Sequence, residues 1–243
     1  MWTRAELKER AKASIRQNYW QCLLVCILFA ILSGNFITIE YDTVYNDVYL
    51  AFGSGSATYP FLGISLTMAG VLGVIGILWA IFVLNPLTVG KHRYFLENRE
   101  EVSGIDALFY TFKQKDYFNI VLILFLSDLF IFLWTLLLII PGIYKIFQYT
   151  MISYILAENP GISSSRVFQM TKEMTAGIKF DIFVLGLSFI LWDLLGIFTC
   201  GIVSIAIMPY KEATYAELYI AVRDEYIEAG YSDYDELPGF YRE

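Results

Sequence analysis

Residues 118–140 read FNIVLILFLSDLFIFLWTLLLII, and Asp128 is the one charged side chain among them. A stretch of this length and polarity is typical of a helix that crosses a bilayer, because about 20 apolar residues span the hydrocarbon core. Three more stretches have the same character: residues 22–39 and 61–84 hold no charge, and residues 182–210 hold Asp193 alone. The sequence therefore predicts an all-α membrane protein that crosses the bilayer several times.

The overall composition supports the same class and argues against several others. Hydrophobic residues make up 57% of the 243 residues, so a water-soluble domain of this size would leave much apolar surface exposed. The three cysteines lie in apolar stretches and His92 is the only histidine, which disfavours a disulfide framework, a metal site and a bound cofactor. A net charge of −7 disfavours nucleic acid as a partner. Because the chain has no glycine-rich phosphate loop, HExxH or GxSxG motif, we do not expect an enzyme.

The basic residues predict how the chain is oriented. Five of the 17 Lys and Arg lie in the first sixteen positions, and residues 85–117 hold five more. Residues 40–60 hold acids and tyrosines but no base, so the positive-inside rule places them outside the cell. Both termini are then cytoplasmic, and Lys145 is the one base expected on the outer side.

Two turn signals divide the later apolar stretches. Residues 118–157 are too long for one crossing and contain Pro141-Gly142, a typical hairpin turn. Residues 182–210 would extend about 43 Å as one helix, beyond a hydrocarbon core of about 30 Å, which favours a second tip within 194–201. The prediction is about six transmembrane helices in three hairpins.

An amphipathic segment precedes each hairpin, which suggests a weak internal repeat. Each of these segments opens with a hydroxyl residue suited to an N-cap and carries apolar residues at helical spacing, so we expect helices on the cytoplasmic face. Leu7, Ile15, Phe112 and Met170 are expected to face lipid or the bundle. The corresponding units are residues 3–99, 102–160 and 161–226 of a single membrane domain spanning 1–226, followed by an acidic, tyrosine-rich cytoplasmic tail, 227–243.

Ionisable side chains inside apolar stretches are candidate functional residues, because each costs free energy in the membrane unless it is paired or faces a polar cavity. Lys145 and Asp193 are predicted to lie at similar depth near the outer face, where they could pair with each other or face a shared aqueous pocket. Asp128 is predicted near mid-membrane, where it could be neutral and hydrogen-bonded to a neighbour such as Ser127.

A set of basic residues is predicted to lie near the cytoplasmic lipid surface. They could contact anionic lipid headgroups. The alternative is that they only determine topology. They are Arg16, Lys91, Arg93, Lys113 and Lys115.

Five blocks, in order, resemble a family of bacterial integral membrane proteins catalogued as domain of unknown function 975. They are TRAELKERAKASIRQNYW, NPLTVGKHRYFLENRE, DLFIFLWTLLLIIPGIYK, SYILAENPGI and PYKEATYAELYIAVR. The segment PGIYKIFQYTMISYILAENPGISSSRVFQMTKE also resembles, more distantly, the membrane module of some glycerophosphodiester phosphodiesterases. The resemblance implies a multi-pass protein of the bacterial inner membrane and assigns no active site.

Two functions remain open at the level of sequence. One is binding or translocation of a lipid-like or amphipathic small molecule, in a cavity lined by Asp128, Gln148 and Tyr149 and gated by Lys145 and Asp193. The other is a non-transporting scaffold, regulatory or immunity protein that acts through contacts with other membrane proteins. An enclosed cavity reaching mid-membrane would favour the first function, and a solid bundle with an exposed groove would favour the second.

Overall fold

The computed structural model describes residues 2–34, 66–199 and 201–240. Within these ranges the chain forms helices joined by short turns, without strands, so the all-α prediction is confirmed there. The predicted outer loop at 40–60, the beginning of the 61–84 stretch and Cys200 lie outside the described residues.

The first two helices meet at a sharp bend. Helix α1 (Arg4–Arg16) begins after Thr3, whose hydroxyl accepts a hydrogen bond from the Glu6 backbone N–H at 3.3 Å. Helix α2 (Tyr19–Leu32) follows at an angle of 98°. The other helices, in chain order, are α3 (Leu66–Trp79), α4 (Asn85–Glu97), α5 (Tyr117–Leu137), α6 (Ile139–Tyr149), α7 (Ile152–Glu158), α8 (Ser164–Met174), α9 (Lys179–Leu187), α10 (Ile190–Phe198) and α11 (Ile202–Glu228).

Helices α3 and α4 are joined without a loop by a π-helical turn, Ala80–Leu84. This turn ends directly before Asn85 and Pro86, which occupy the first turn of α4. Proline has no N–H to continue the regular bonding with the preceding turn, and its position coincides with the wider π-helical turn, in which the Asn85 N–H donates to the Ala80 carbonyl. The wider turn therefore changes the helix register directly before Asn85. π-helical turns of this kind often occur at functional sites.

The middle hairpin turns at Leu138, whose extended backbone (φ −158°, ψ 138°) separates α5 from α6. The sequence predicts this turn three residues later, at Pro141-Gly142. Pro141 instead lies in the first turn of α6, where proline is compatible with a helix. Gly142 allows the two helices to approach, because a Cβ at this position would lie 2.3 Å from Thr135 Oγ1 and 2.8 Å from Thr135 Cα.

The third hairpin turns at Gly201. Gly201 has φ +87°, which favours glycine, and its N–H donates to the Gly196 carbonyl at 2.8 Å. The turn lies at the end of the predicted 194–201 tip. Helix α11 then runs for 27 residues and contains Pro209.

Within the described residues, three helical segments are long and apolar enough to cross a membrane: Gly73–Glu97, Tyr117–Leu137 and Lys179–Phe198. The number rises to four if the bent pair of α1 and α2 counts as one span. The six-span prediction is not confirmed. Two features explain why fewer spans are found than the six predicted. The chain breaks between α6 and α7 near Thr150, and α11 becomes polar after Pro209.

Protein covers most of the apolar residues of the predicted amphipathic segments. Leu7 and Ile15 on α1 and Met170 on α8 are buried in the core, and α1 packs along α11. Phe112 is exposed; it belongs to a 3₁₀-helical segment, Ile105–Lys113, in place of the expected α-helix.

The last described residues, 231–240, fold back onto the helices. Leu237 is fully buried, and Glu236 forms a two-oxygen ion pair with Arg166 of α8, with both nitrogen to oxygen distances at 2.8 Å. The Asn159 side chain donates to the Glu236 carbonyl at 3.1 Å. The described part of the predicted acidic tail therefore contacts the protein's own body.

Candidate ligand cavity

A cavity of about 420 Å³ lies among helices α4 to α7 and α9 to α11. Its size falls in the range of pockets that hold drug-sized ligands, about 300–1,000 Å³. Apolar and aromatic side chains form much of its wall. They include Phe29, Ile131, Ile143, Ile146, Phe147, Phe183, Leu187, Phe189 and Ile190.

Helices α4 and α5 supply polar groups at helical spacing. Asn85, Thr88 and Lys91 recur every three residues along α4, and His92 follows. Leu124, Ser127, Asp128 and Ile131 face the cavity from α5 in the same way. Residues three and four apart share one face of a helix, so each helix presents a single stripe to the cavity.

Lys91, His92 and Glu212 form a buried polar cluster at one part of the wall. Lys91 Nζ donates to Glu212 Oε1 at 2.6 Å and lies 4.2 Å from the centre of the Phe29 ring. His92 Nε2 lies 3.7 Å from the other carboxylate oxygen of Glu212, and His92 Nδ1 is 2.8 Å from Ser153 Oγ. The charges of Lys91 and Glu212 are thus compensated within the bundle.

A second ion pair joins α10 to α11 across the cavity wall. Lys211 Nζ donates to Asp193 Oδ1 at 2.5 Å, and both side chains are largely buried. The prediction that Asp193 pairs with Lys145 is therefore wrong. Lys211 follows Pro209 in the polar half of α11, and its long side chain reaches the carboxylate on the neighbouring helix.

Lys145 and Gln148 contact each other rather than the cavity. Lys145 Nζ donates to Gln148 Oε1 at 3.2 Å and lies near the rings of Trp134 and Tyr149. The Gln148 carbonyl accepts a hydrogen bond from Thr171 at 2.7 Å. Of the five cavity residues predicted from sequence, Asp128, Tyr149 and Asp193 line the cavity, and Lys145 and Gln148 are not among its lining residues.

Asp128 has a different environment from the other acids of the wall. Asn85 Nδ2 donates to Asp128 Oδ2 at 2.7 Å, whereas Ser127 donates to the Leu124 carbonyl instead of to Asp128. Among the described residues, no Lys, Arg or His nitrogen lies within salt-bridge distance of this carboxylate. Asp128 is about 15 Å from the Leu138 turn by helical rise, at the level where α4 meets α5.

The predicted lipid-facing basic residues divide into two groups. Arg16, Lys113 and Lys115 are exposed, as headgroup contact would require. Lys91 is only 3% exposed and belongs to the cavity wall. The guanidinium of Arg93 donates to Glu97 and lies 3.6 Å from the Tyr110 ring centre, so this residue is also engaged within the protein. The prediction that Lys91 and Arg93 contact lipid headgroups is therefore wrong, because both side chains pair within the protein.

Within the described ranges, no group of three His, Cys, Asp or Glu side chains could hold a metal ion. The polar groups of the wall are suited to hydrogen bonding and charge pairing. Its aromatic and aliphatic groups are suited to a hydrocarbon chain.

Residues 136–226 match the model of a family described as "Protein of unknown function (DUF975)". The match supports the resemblance read from the sequence. It covers α6 to α10 and most of α11, so it includes the Lys211–Asp193 pair but neither Asn85 nor Asp128. No curated protein and no solved structure matches the chain. The distant resemblance to phosphodiesterase membrane modules and the bacterial origin stay predictions.

Proposed function

We propose that the protein binds an amphipathic small molecule in the cavity, and that it does so in the bacterial inner membrane. The observation that carries the proposal is the change in polarity along the cavity wall. On helices α5 and α6, the lining residues nearer the middle hairpin turn are Ile131, Ile143 and Ile146. Farther from the turn the wall contains Asp128 with Asn85, and then the Lys91 cluster.

A graded wall of this kind suits a molecule with a hydrocarbon chain and a polar head. The chain would bury apolar surface against the isoleucines, worth roughly 25 cal/mol for each Å² removed from water. The head would take the place of water beside the polar groups. A purely apolar molecule would displace water from beside these polar groups without replacing the hydrogen bonds that water makes, which costs free energy. We therefore propose binding, and transport coupled to it, rather than catalysis.

The proposed membrane topology keeps both termini in the cytoplasm and six crossings in three hairpins. The crossings are α2, α3 with α4, α5, α6 with α7, α9 with α10, and the first part of α11. Reporter fusions placed after Arg223 test this arrangement. An extracytoplasmic signal there would mean that residues 182–210 cross only once.

Cross-linking tests the binding site. The probe is a neutral monoacylglycerol whose chain carries a diazirine, added to the purified full-length protein in nanodiscs. Gly186 lines the cavity, and a Cβ there would lie 3.3 Å from Tyr215 Oη, so Gly186→Leu should fill part of the space. We expect this variant to lose most of the labelling of Ile131 and Ile146.

Gly76→Leu is the matched control, because a Cβ at Gly76 would have no atom within 4 Å. It should label like the wild type. Labelling confined to exposed side chains such as Phe125 and Leu136, and unchanged by Gly186→Leu, would show that the cavity does not bind the chain.

In the scaffold alternative, the amphipathic helices and the acidic tail would bind other membrane proteins. In the described residues this tail contacts the protein itself through Glu236 and Leu237. The same cross-linking experiment decides against ligand binding if the cavity stays unlabelled.

A further inference from the structure

We infer that the cavity selects a head group with one positive charge, an organic ammonium, and that Asp128 is its counter-ion. This inference rests on the proposed function, because it names the chemical class of the molecule held in the same cavity. It follows from the charges of the wall.

Among the described residues, the lysines and carboxylates of the cavity wall leave one carboxylate without a lysine partner. Asp128, Asp193 and Glu212 are the acids of the wall, and Lys91 and Lys211 are its lysines. Lys91 pairs with Glu212 at 2.6 Å and Lys211 with Asp193 at 2.5 Å. Apart from His92, the described charged residues of the wall sum to −1, and the carboxylate without a lysine partner is Asp128. A monovalent cation would balance it.

The position of Asp128 favours a cationic head over a free metal ion. Asn85 holds one carboxylate oxygen, Oδ2, at 2.7 Å, and no described residue donates a hydrogen bond to the other oxygen. Ile131 lies one helical turn away on the same face of α5. A carboxylate beside an aliphatic wall fits an ammonium group joined to a hydrocarbon chain, whereas a small metal ion would need several more oxygen ligands than one carboxylate supplies.

Aromatic side chains around the cavity add a second reason. Ring faces attract cations, most strongly where water is excluded, and quaternary ammonium groups are often recognised in this way. Phe29 and Tyr149 line the cavity and already lie next to lysine ammonium groups, at 4.2 Å for Lys91 and 5.4 Å for Lys145. A head group with a negative charge would instead meet the uncompensated carboxylate of Asp128.

Competition against the diazirine monoacylglycerol tests the head-group class. The competitors are decyltrimethylammonium, decanoate and decyl glucoside, which share a ten-carbon chain and differ in charge. We expect decyltrimethylammonium to displace the probe at about 10- to 100-fold lower concentration than the other two, the range for one charged contact shielded from water. Asp128→Asn keeps the size of the side chain and should remove this preference. Asp181→Asn, which changes an exposed acid of α9, should leave it intact.

The outcomes separate the inference from the proposed function. If the neutral probe labels the cavity but the three competitors act equally on the wild type, the ammonium class is wrong and ligand binding stands. A preference that survives in Asp128→Asn would also overturn the role of this carboxylate. If the probe does not label the cavity, the proposed function itself fails. The wild-type comparison needs no variant, so it decides the question even if Asp128→Asn does not fold.

Discussion

Arg223 and Glu158 form a fully buried ion pair between α11 and α7, and replacing Arg223 with methionine should be strongly destabilising. Arg223 Nη1 donates to Glu158 Oε1 at 2.7 Å, with side-chain exposures of 1% and 0%. Removal of one partner from a buried pair costs about 3–5 kcal/mol, because the remaining charge is left without compensation. For a protein of this size that corresponds to a fall in Tm of about 6–20 °C.

The two partners are not equivalent, so replacing Arg223 and replacing Glu158 should lower stability by different amounts. Asp224 also accepts hydrogen bonds from Arg223, at 2.7 and 3.0 Å. Glu158→Gln therefore leaves Arg223 bonded to the Asp224 carboxylate and to the new amide oxygen. This variant should lower the free energy of unfolding by only about 1–2 kcal/mol. Arg223→Met leaves the buried Glu158 carboxylate without its cation. The double variant should be more stable than Arg223→Met alone, since it removes that charge.

Thermal unfolding of the purified protein in one detergent measures these differences. The control is Arg10→Met, which breaks an exposed pair with Glu6 on α1, where an i,i+4 pair contributes about 0.3–0.5 kcal/mol. If Arg223→Met lowers Tm no more than Arg10→Met does, the buried pair has no special role in stability. Equal losses for Arg223→Met and Glu158→Gln would contradict the asymmetry.

Three further perturbations have defined outcomes. Gly142→Val should cost about 1–3 kcal/mol by forcing α5 and α6 apart, and a Tm equal to that of Gly76→Val would contradict the close approach. The hydrogen bonds from Arg166 hold the pKa of Glu236 below its usual range. The docked tail is therefore stable above the ordinary glutamate pKa of about 4.3 and should be released as the pH falls through the lowered value, which hydrogen exchange of residues 231–240 at pH 7 and pH 3 would detect. Finally, Asp193→Asn and Lys211→Met should each reduce folded yield more than the double variant does, and simple addition of the two losses would refute their pairing.

The sequence predicts the helical class well because its signals are local. Long apolar stretches and the position of Gly201 identify helices and a turn without knowledge of their neighbours. The turn at Leu138 is less predictable, since Pro141 is compatible with either a turn or a first helical turn. The number of crossings is harder still, because the break near Thr150 depends on packing.

The cavity is only partly predictable for a related reason. Asp128 and Asp193 are conspicuous because a charge in an apolar stretch is costly, which draws attention to them. Lys91, Lys211 and Glu212 lie in more polar segments, where a charged residue is not conspicuous. Lys211 pairs with Asp193, 18 residues away, and Lys91 pairs with Glu212, 121 residues away. The helical spacing of Asn85, Thr88 and Lys91 is the one local signal that could have placed α4 on the cavity.

These long-range pairs determine what the cavity can select. If Lys91 or Lys211 lacked its carboxylate, the cavity would offer both a positive and a negative group, and head groups of either sign could find a partner. Because both lysines are paired with carboxylates at 2.5–2.6 Å, we expect the selectivity to depend on Asp128, the acid of the described wall that has no lysine partner. It follows that a change at Asp128 should alter which head group is preferred, whereas a change at Lys211 should lower stability first. That separation distinguishes a residue that selects a ligand from one that holds the wall together.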